Sequence, residues 1–284
     1  MRIVVLGSTG MAGHVIAQYL EERGYEVFRI SRSEQEGIRS VAIDVTDFVA
    51  LETYLNQVKP DGVINCVGLL QKACEVRFDL GVLINSYLPH WLEQKYVDTF
   101  VKIIHISTDC VFSGIRGGYR ENDLPDGVTP YDRTKALGEI NNNKDLTFRM
   151  SIIGPDIDLS GIGLFNWFMK QTGKINGFGK VYWNGVTTIE LARGIDAALR
   201  KELTGLYHLV PQHGIDKYNL LMLFQKHFNK EDVTICRVAE LMLDKRLINT
   251  REDFDFIVHD YSVQVEDMRK WIEQHSTLYP HYRF

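Results

Sequence analysis

Three side chains in the middle of the chain have the types and spacing of a proton-transfer site. Tyr131 and Lys135 are four residues apart on a predicted helix, so they share one of its faces. A phenol with a pKa of about 10 is a weak acid–base group at neutral pH, and a nearby ammonium stabilises its charged form. Thr108 ends a predicted strand and supplies a hydroxyl that can orient a carbonyl. Together these residues predict proton transfer to or from a carbonyl oxygen.

A glycine-rich turn at the start of the chain predicts the second half of such a reaction. Gly7, Gly10 and Gly13 lie between an apolar strand and an amphipathic helix. This arrangement lets the backbone approach a pyrophosphate closely and directs the helix N-terminus at its charges. A tight strand–helix turn without a ligand uses the same glycines, but the place of this turn after a buried strand favours nucleotide binding. The two sites together indicate a dinucleotide-dependent redox enzyme.

The end of the second predicted strand indicates which dinucleotide is preferred. Ser31 and Arg32 occur where a carboxylate would favour the 2′-hydroxyl of NAD. A guanidinium can bind the 2′-phosphate of NADP with two hydrogen bonds, so NADP(H) is favoured and NAD(H) stays open. Arg32 is otherwise a solvated surface residue. Asp44, after the third strand, is a candidate acceptor for the adenine amino group or a residue of the turn before a helix.

The elements that must position these residues alternate between strands and helices. This pattern predicts an α/β fold: a Rossmann-type, doubly wound parallel sheet with a small, mainly helical C-terminal substrate lobe. The sheet domain is expected over residues 1–155, with a returning strand near 205–210, and the lobe over residues 156–284. The predicted strands are RIVVLG, YEVFRIS, SVAI, GVINCVG, VKIIHIS, LTFRMSIIG and GLYHLV. Predicted helices include MAGHVIAQYLEERG, DFVALETYLNQV capped by Thr46, about 78–97, 131–143 and TIELARGIDAALRKEL in the lobe.

Composition narrows the class of protein further. The chain has 284 residues and a formal net charge of -5, which argues against a nucleic-acid partner. Its four cysteines have no metal-ligand spacing, so we expect reduced thiols and no metal site. The start MRIVVLG lacks the features of a signal peptide, and no apolar run has the length of a membrane helix. A cytoplasmic protein without a membrane partner is therefore expected.

Several motifs resemble those of the extended short-chain dehydrogenase/reductases, and within them the dTDP-4-dehydrorhamnose reductase family. The glycine spacing G-x-x-G-x-x-G is typical of this class. The resemblance also rests on STDCVFSG from Ser107, YRENDLPD from Tyr119, YDRTKALGE from Tyr131, KPDGVINCVG from Lys59, and Asn85 with Pro89. It covers about the first 155 residues well and the remainder loosely. It implies reduction of the 4-keto group of a nucleotide-linked deoxysugar, in the synthesis of surface polysaccharide precursors, and leaves a homodimer open.

The motifs and the resemblance give a set of expected site residues. The catalytic residues are Thr108, Tyr131 and Lys135, with Lys135 also holding the nicotinamide ribose. The expected cofactor site comprises Gly7, Thr9, Gly10, Met11, Ala12, Gly13, Ser31, Arg32, Asp44, Val45, Cys66, Val67, Gly68, Asn85, Tyr131 and Lys135. The expected substrate site comprises Thr108, Asp109, Cys110, Phe112, Ile152, Trp183 and Asn184.

Two departures from the family pattern concern the substrate. Cys110 stands where the family usually has Tyr, and Ile152 stands where it has Trp. Trp183 and Asn184 are candidates for replacement contacts, although their segment also reads as a strand edge leading into a capped helix. A nucleotide-sugar epimerase and a non-catalytic NADP-binding regulatory subunit are the alternative functions. Dehydration is disfavoured because Asp109 is followed by Cys110 rather than by an acid.

Overall fold

The central element is a seven-stranded parallel sheet. A computed structural model of the chain describes residues 1–33, 37 and 39–284. The strands are β1 Arg2–Leu6, β2 Glu26–Ser31, β3 Ser40–Ala42, β4 Gly62–Asn65, β5 Lys102–Ile106, β6 Leu146–Arg149, β7 Ile152–Ile153, β8 Gly173–Phe178, β9 Val181–Trp183, β10 Val186–Thr187, β11 Gly205–His208, β12 Ile215–Asp216, β13 Val233–Val238 and β14 Leu243–Asp244. The sheet has the order β11-β6-β5-β4-β1-β2-β3, and all of its pairs are parallel.

Helices cover both faces of this sheet, as a doubly wound fold requires. They are α1 Gly13–Glu22, α2 Phe48–Val58, α3 Gln71–Val76, α4 Phe78–Gly81, α5 Leu88–Lys95, α6 Pro130–Leu137, α7 Leu164–Met169, α8 Thr188–Lys201, α9 Lys217–His227 and α10 Tyr261–Gln274. The residues of β1 and β4 are buried on both sides apart from Arg2, which matches their continuous apolar sequences. The predicted fold class and the returning strand β11 are confirmed.

Strand order reverses between β1 and β4, and this reversal decides where a ligand can bind. The chain runs from β1 to β2 and β3 on one side, and then returns to β4 on the other side of β1. In open α/β sheets the crevice at such a switch point, outside the carboxyl ends of the strands, is the usual ligand site. The glycine turn follows β1 and the segment from Cys66 follows β4, so both lie at this crevice.

Four predicted element details are wrong. Asp47, rather than Thr46, caps α2 by accepting a hydrogen bond from Ala50, because Thr46 is bonded to Asp44. Helix α6 ends at Leu137 rather than near residue 143, because Gly138 interrupts it. The predicted sixth strand is divided into β6 and β7, and β7 pairs with β10. The predicted helix over 78–97 contains a π-helical segment, Val82–Tyr87, between α4 and α5.

The second half of the chain is divided between the sheet and the lobe. Helix α8, expected in the lobe, packs on the sheet: a methyl group on Gly62 of β4 would lie 3.9 Å from the Leu199 side chain. The Tyr25 hydroxyl, just before β2, also donates to Asp196 of α8 over 2.8 Å. The lobe itself contains α7, α9 and two small sheets, β12-β9-β14 and β8-β13, which add strands to the helices expected there. None of the helices in the described ranges has the length and apolar character needed to cross a bilayer.

Candidate active site

The glycine turn has the shape of a pyrophosphate-binding turn. Gly7 has a φ of +77°, in the left-handed region that favours glycine. A methyl group on Gly13 would overlap the Gly7 carbonyl oxygen, so only glycine lets α1 begin so close to β1. A methyl group on Gly10 would meet the Gly7 oxygen at 3.3 Å and otherwise open space. The backbone at Gly10 and the N-terminus of α1 therefore fit a dinucleotide, with Thr9, Met11 and Ala12 completing the turn.

Two charged side chains that the sequence predicts at the adenosine end of the cofactor, Arg32 and Asp44, follow β2 and β3. Arg32 is exposed directly after β2, whereas Ser31 is buried and donates its hydroxyl hydrogen to the Ser33 carbonyl over 2.6 Å. Hydrogen bonds from Thr46, helped by the charge of Arg32, lower the pKa of Asp44. The Asp44 carboxylate is thus engaged in the turn before α2, which favours the second of its two sequence interpretations. Val45 is buried in the core beside it.

The segment after β4 forms the other wall of the crevice. The side chain of Val67 would lie 3.1 Å from a methyl group on Gly7, which places the Cys66–Gly68 segment against the glycine turn. Burial raises the pKa of the Cys66 thiol to about 12, so this thiol is neutral. Its backbone N–H donates to the Leu6 carbonyl over 3.1 Å and extends the parallel pairing of β4 with β1.

Asn85, predicted to contact the cofactor, has a different role. It is fully buried in the π-helical segment, and its amide oxygen accepts from the Leu69 N–H over 2.8 Å. Its amide nitrogen donates to the Leu69 carbonyl over 3.0 Å and to the Thr134 hydroxyl over 3.1 Å. The wider π-helical turn brings this side chain between the β4 loop and α6. Asn85 therefore positions the catalytic helix instead of reaching the ligand surface.

The predicted catalytic residues meet at the carboxyl end of β5. Thr129 caps α6 in a capping box with Asp132, and Pro130 occupies its first turn, so Tyr131 lies at the start of the helix. Burial raises the pKa of Tyr131, and a hydrogen bond with the Thr108 hydroxyl acts in the opposite direction. The phenol is therefore protonated at neutral pH. This is the form that can donate a proton to a carbonyl oxygen.

Lys135 lies one helical turn after Tyr131 and is almost fully buried. Its ammonium donates to the Ile106 carbonyl over 2.7 Å. Burial lowers the pKa of Lys135 to about 8, although the Glu139 carboxylate favours its charged form. Its nitrogen also lies 3.3 Å from Nε2 of His105. The ammonium is thus held at the end of β5, one helical turn from the residue that carries the phenol.

Sequence reasoning missed the supporting role of two residues around Lys135. His105 is fully buried, and its other ring nitrogen lies 3.2 Å from the Asn65 amide. Burial and the charge of Lys135 hold the pKa of His105 well below its ordinary value, so the ring is neutral. Glu139 accepts from the Ser107 hydroxyl over 2.6 Å and from Nε of Arg149 over 2.8 Å. The spacing of four residues between Lys135 and Glu139 is the feature of the sequence that could have indicated this supporting role.

The expected substrate residues divide into two groups. Asp109 and Cys110 follow Thr108 in a short 3₁₀ turn, and the Thr108 hydroxyl donates to Asp109 over 3.2 Å. Burial raises the pKa of Asp109, while the ammonium groups of Lys245 and Lys217 oppose this rise. Burial raises the pKa of the Cys110 thiol to about 12. Both residues lie next to Thr108, and their contact with a substrate stays a prediction.

The second group is structural in part. Phe112 is fully buried and stacks on Tyr119 with ring centroids 4.2 Å apart, so its expected contact with substrate is wrong. The Asn184 amide donates to the Leu247 carbonyl over 2.7 Å and accepts from the Leu247 N–H over 2.9 Å, and its contact with a substrate stays a prediction.

The remaining two expected substrate residues line the lobe side of the site. Ile152 belongs to β7, and Trp183 ends β9, where its ring packs 5.6 Å from that of Tyr261. Contact of either residue with a substrate stays a prediction.

The fold and this arrangement of Thr108, Tyr131 and Lys135 define an NAD(P)-dependent oxidoreductase of the short-chain dehydrogenase/reductase type. Residues 1–155 match the RmlD substrate binding domain family, and the chain belongs to that family. This agrees with the resemblance to the dTDP-4-dehydrorhamnose reductases found in the sequence.

Known proteins similar to the chain include reductases of glycan synthesis. A probable low-salt glycan biosynthesis reductase, Agl14, of Haloferax volcanii is 28% identical over 240 residues, which are 76% of each chain. Other curated relatives are matched over less than half of their length. A hypothetical dTDP-4-dehydrorhamnose reductase structure from Sulfolobus tokodaii has a TM-score of 0.76 and 26% identity, covering 92% of this chain and 98% of its own. The Bacillus anthracis dTDP-4-dehydrorhamnose reductase in complex with NADP has a TM-score of 0.80 at 18% identity, covering 95% and 99%, and supports the fold.

Proposed function

We propose that this protein reduces the 4-keto group of a nucleotide-linked deoxysugar with NADPH. The observation that carries the proposal is the meeting of Thr108, Tyr131 and Lys135 at the sheet edge that also holds the glycine turn. The relatives named as glycan and dTDP-4-dehydrorhamnose reductases support this substrate class. The same comparison supports a place in the synthesis of polysaccharide precursors. A cytoplasmic location and a homodimer are part of the proposal.

The chemistry assigned to the chain's own residues is proton transfer and orientation. When bound, NADPH supplies the hydride that reduces the ketone carbon. The Thr108 hydroxyl, which donates to Asp109 in this structure, would turn its hydrogen to the ketone oxygen and hold it beside the Tyr131 phenol, which gives that oxygen its proton. Lys135 favours the resulting phenolate through its positive charge and binds the nicotinamide ribose. The cradle at Gly7, Gly10 and Gly13 holds the pyrophosphate, and Arg32 binds the 2′-phosphate.

A screen of NADPH oxidation over dTDP-, UDP- and GDP-linked 4-keto-6-deoxy sugars tests this function. We expect steady NADPH consumption with at least one of them and formation of the corresponding alcohol. Epimerisation without net NADPH consumption would replace reduction by the epimerase alternative. Absence of turnover, together with a stable complex with another protein in pull-down, would favour the regulatory alternative.

The cofactor preference has its own test in the same assay. NADH should support lower rates than NADPH at equal concentration. Arg32→Ala should weaken NADPH binding about 10-fold, the effect of losing one charged hydrogen bond, and leave NADH binding unchanged. Equal rates of the wild type with the two cofactors would refute the role of Arg32.

A further inference from the structure

Lys217, a residue with no role in the function described so far, is held in a fixed position on the lobe side of the site. It is the first residue of α9, directly after β12, which pairs antiparallel with β9 so that Ile215 lies opposite Trp183. Asp216 caps the helix by accepting from the Asn219 N–H over 2.7 Å. The strand pair and the cap together leave the backbone of Lys217 little freedom. Its ammonium lies 4.4 Å from the centroid of the Trp183 ring.

This position is unfavourable for a cation. The first turn of an α-helix carries the positive end of the helix dipole, which disfavours an ammonium there. The side chain is partly buried, and in the part of the chain that the structure describes its ammonium has no hydrogen-bond or ion-pair partner. Burial lowers the pKa of Lys217 to about 8, and the charge of the Asp109 carboxylate opposes this shift. Among the described residues, the Trp183 ring and the field of the Asp109 carboxylate offset these costs.

The groups that face Lys217 belong to residues 108–111, the catalytic loop that follows β5. Asp109 and Cys110 immediately follow Thr108, the residue that orients the substrate carbonyl in the proposed reaction. Lys245 also acts on Asp109 from the lobe side, and its backbone N–H donates to the Tyr182 carbonyl over 3.3 Å. The unpartnered ammonium of Lys217 and the Thr108 hydroxyl therefore both interact with the Asp109 carboxyl group, which places Lys217 on the same side of the site as the reacting ketone of the proposed reaction.

We propose that Lys217 is a substrate-binding residue that donates a hydrogen bond to an oxygen substituent of the sugar ring, close to the reacting ketone. This inference rests on the proposed function and deepens it. A neutral ring substituent fits this position better than the diphosphate of the sugar nucleotide. The buried carboxylate of Asp109 would repel the negative charges of a diphosphate placed beside it. Lys217 would thus help to decide which sugar is accepted.

Binding measurements on Lys217→Met test this assignment without requiring turnover. The NADP-saturated protein is titrated calorimetrically with dTDP-, UDP- and GDP-glucose, and in parallel with dTDP, UDP and GDP. We expect the variant to bind the preferred nucleotide sugar about 10- to 100-fold more weakly, the loss of one charged hydrogen bond. The affinity for the nucleoside diphosphates, which lack the sugar ring, should differ less than about twofold between the variant and the wild type. Lys226→Met, at an exposed position of the same helix, is the matched control and should bind like the wild type.

A structural role for Lys217 makes the opposite prediction for stability. Replacing an unpaired, partly buried cation with an apolar side chain of similar length should leave the melting temperature unchanged or raise it. A lower melting temperature together with weaker NADP binding would overturn the inference. Unchanged affinity for the nucleotide sugar would overturn it as well. An equal loss for the nucleoside diphosphates would assign the contact to the diphosphate instead of the ring.

The pH dependence of the same affinity separates Lys217 from its neighbours. Because the pKa of Lys217 is lowered to about 8, nucleotide-sugar affinity of the wild type should fall as the pH rises through 8. Lys217→Arg keeps its charge, so it should restore binding and remove this fall, whereas Lys217→Met should bind weakly at every pH. A wild-type fall that persists in Lys217→Arg would overturn the assignment.

The outcomes for the inference and for the proposed function can be distinguished. Lys217-dependent binding without reduction of any 4-keto sugar would reject the function and keep the binding residue. Reduction of a 4-keto sugar by the wild type, with unchanged nucleotide-sugar binding in Lys217→Met, would keep the function and reject the binding residue. A wild type that binds none of the three nucleotide sugars would reject both.

Discussion

The two sides of the candidate site differ in how their polar groups are satisfied. On the redox side, formed by the carboxyl ends of β1, β4 and β5 with α6, the buried groups of Asn85, His105 and Lys135 all have protein partners. The lobe side, formed by the 156–163 loop, β9 and the start of α9, carries groups without partners. Within the described ranges these include a carboxylate oxygen of Asp156 and the indole N–H of Trp183.

This difference indicates which side is complete before a ligand arrives. Buried polar groups in native proteins are normally hydrogen-bonded, and unpaired ones are costly. A redox side with internal partners holds the proton donor rigidly, as general acid catalysis requires. A lobe side with unpaired polar groups is suited to take its partners from the substrate. The chemistry would then be fixed in this protein, while the substrate would be selected by the lobe.

Removal of the Tyr131 hydroxyl should give the largest effect on the redox side. Tyr131→Phe should lower turnover at least about a hundredfold, because the reaction loses its general acid, with little change in NADPH affinity. Tyr87→Phe, at an exposed tyrosine, is the control and should be fully active. Near-normal turnover of Tyr131→Phe would refute the mechanism.

Substitutions at two glycines of the turn should affect different properties: one the stability of the protein and the other its affinity for the cofactor. Gly13→Ala places a methyl group on the Gly7 carbonyl, so the free energy of unfolding should fall by about 1–3 kcal/mol, the cost of overpacking. Gly10→Ala has open space on most sides and should weaken NADPH binding without a comparable loss of stability. Chemical denaturation and NADPH titration measure the two effects. Equal stability of the two variants would contradict the packing role assigned to Gly13.

On the lobe side, Asp156 should make stability fall as pH rises. Burial raises the pKa of Asp156 to about 6. An acid with a raised pKa in the folded protein binds its proton more tightly than in the unfolded chain, so stability is present at low pH and is lost as the pH rises through about 6. Asp156→Asn should remove this loss and gain on the order of 1 kcal/mol at pH 7. The measurement is the pH dependence of the free energy of unfolding, and a variant with the same profile as the wild type would contradict it.

The C-terminal tail should give the smallest effect, because it joins the two sides from outside the site. The Tyr279 hydroxyl lies 2.7 Å from Nε2 of His14 and accepts from the Trp271 indole over 3.0 Å, and His14 in turn contacts the Gly10 carbonyl. Tyr279→Phe should cost about 1 kcal/mol of stability and shift the NADPH affinity less than Gly10→Ala does. A larger effect on NADPH affinity than on the melting temperature would show a closer coupling of the tail to the turn.

The redox side was largely predictable because its geometry follows from local sequence. The glycine spacing specifies a turn, the apolar runs specify buried strands, and Tyr131 and Lys135 lie four residues apart on one helix. The errors arose where a side chain had two available uses. Asn85 was expected at the cofactor but is used to join the β4 loop to α6, and Phe112 was expected at the substrate but packs against Tyr119.

The sequence by itself determined the sheet, the dinucleotide turn and the pair Tyr131 and Lys135, because each depends on residues within one or two turns of the chain. Only the tertiary structure brought Lys217 of the lobe toward Asp109 of the catalytic loop, over a separation of about a hundred residues. It also decided that His105 supports Lys135. Such contacts depend on how α9 and β9 pack across the carboxyl edge of the sheet, and hydrophobic periodicity along the chain carries no information about that packing.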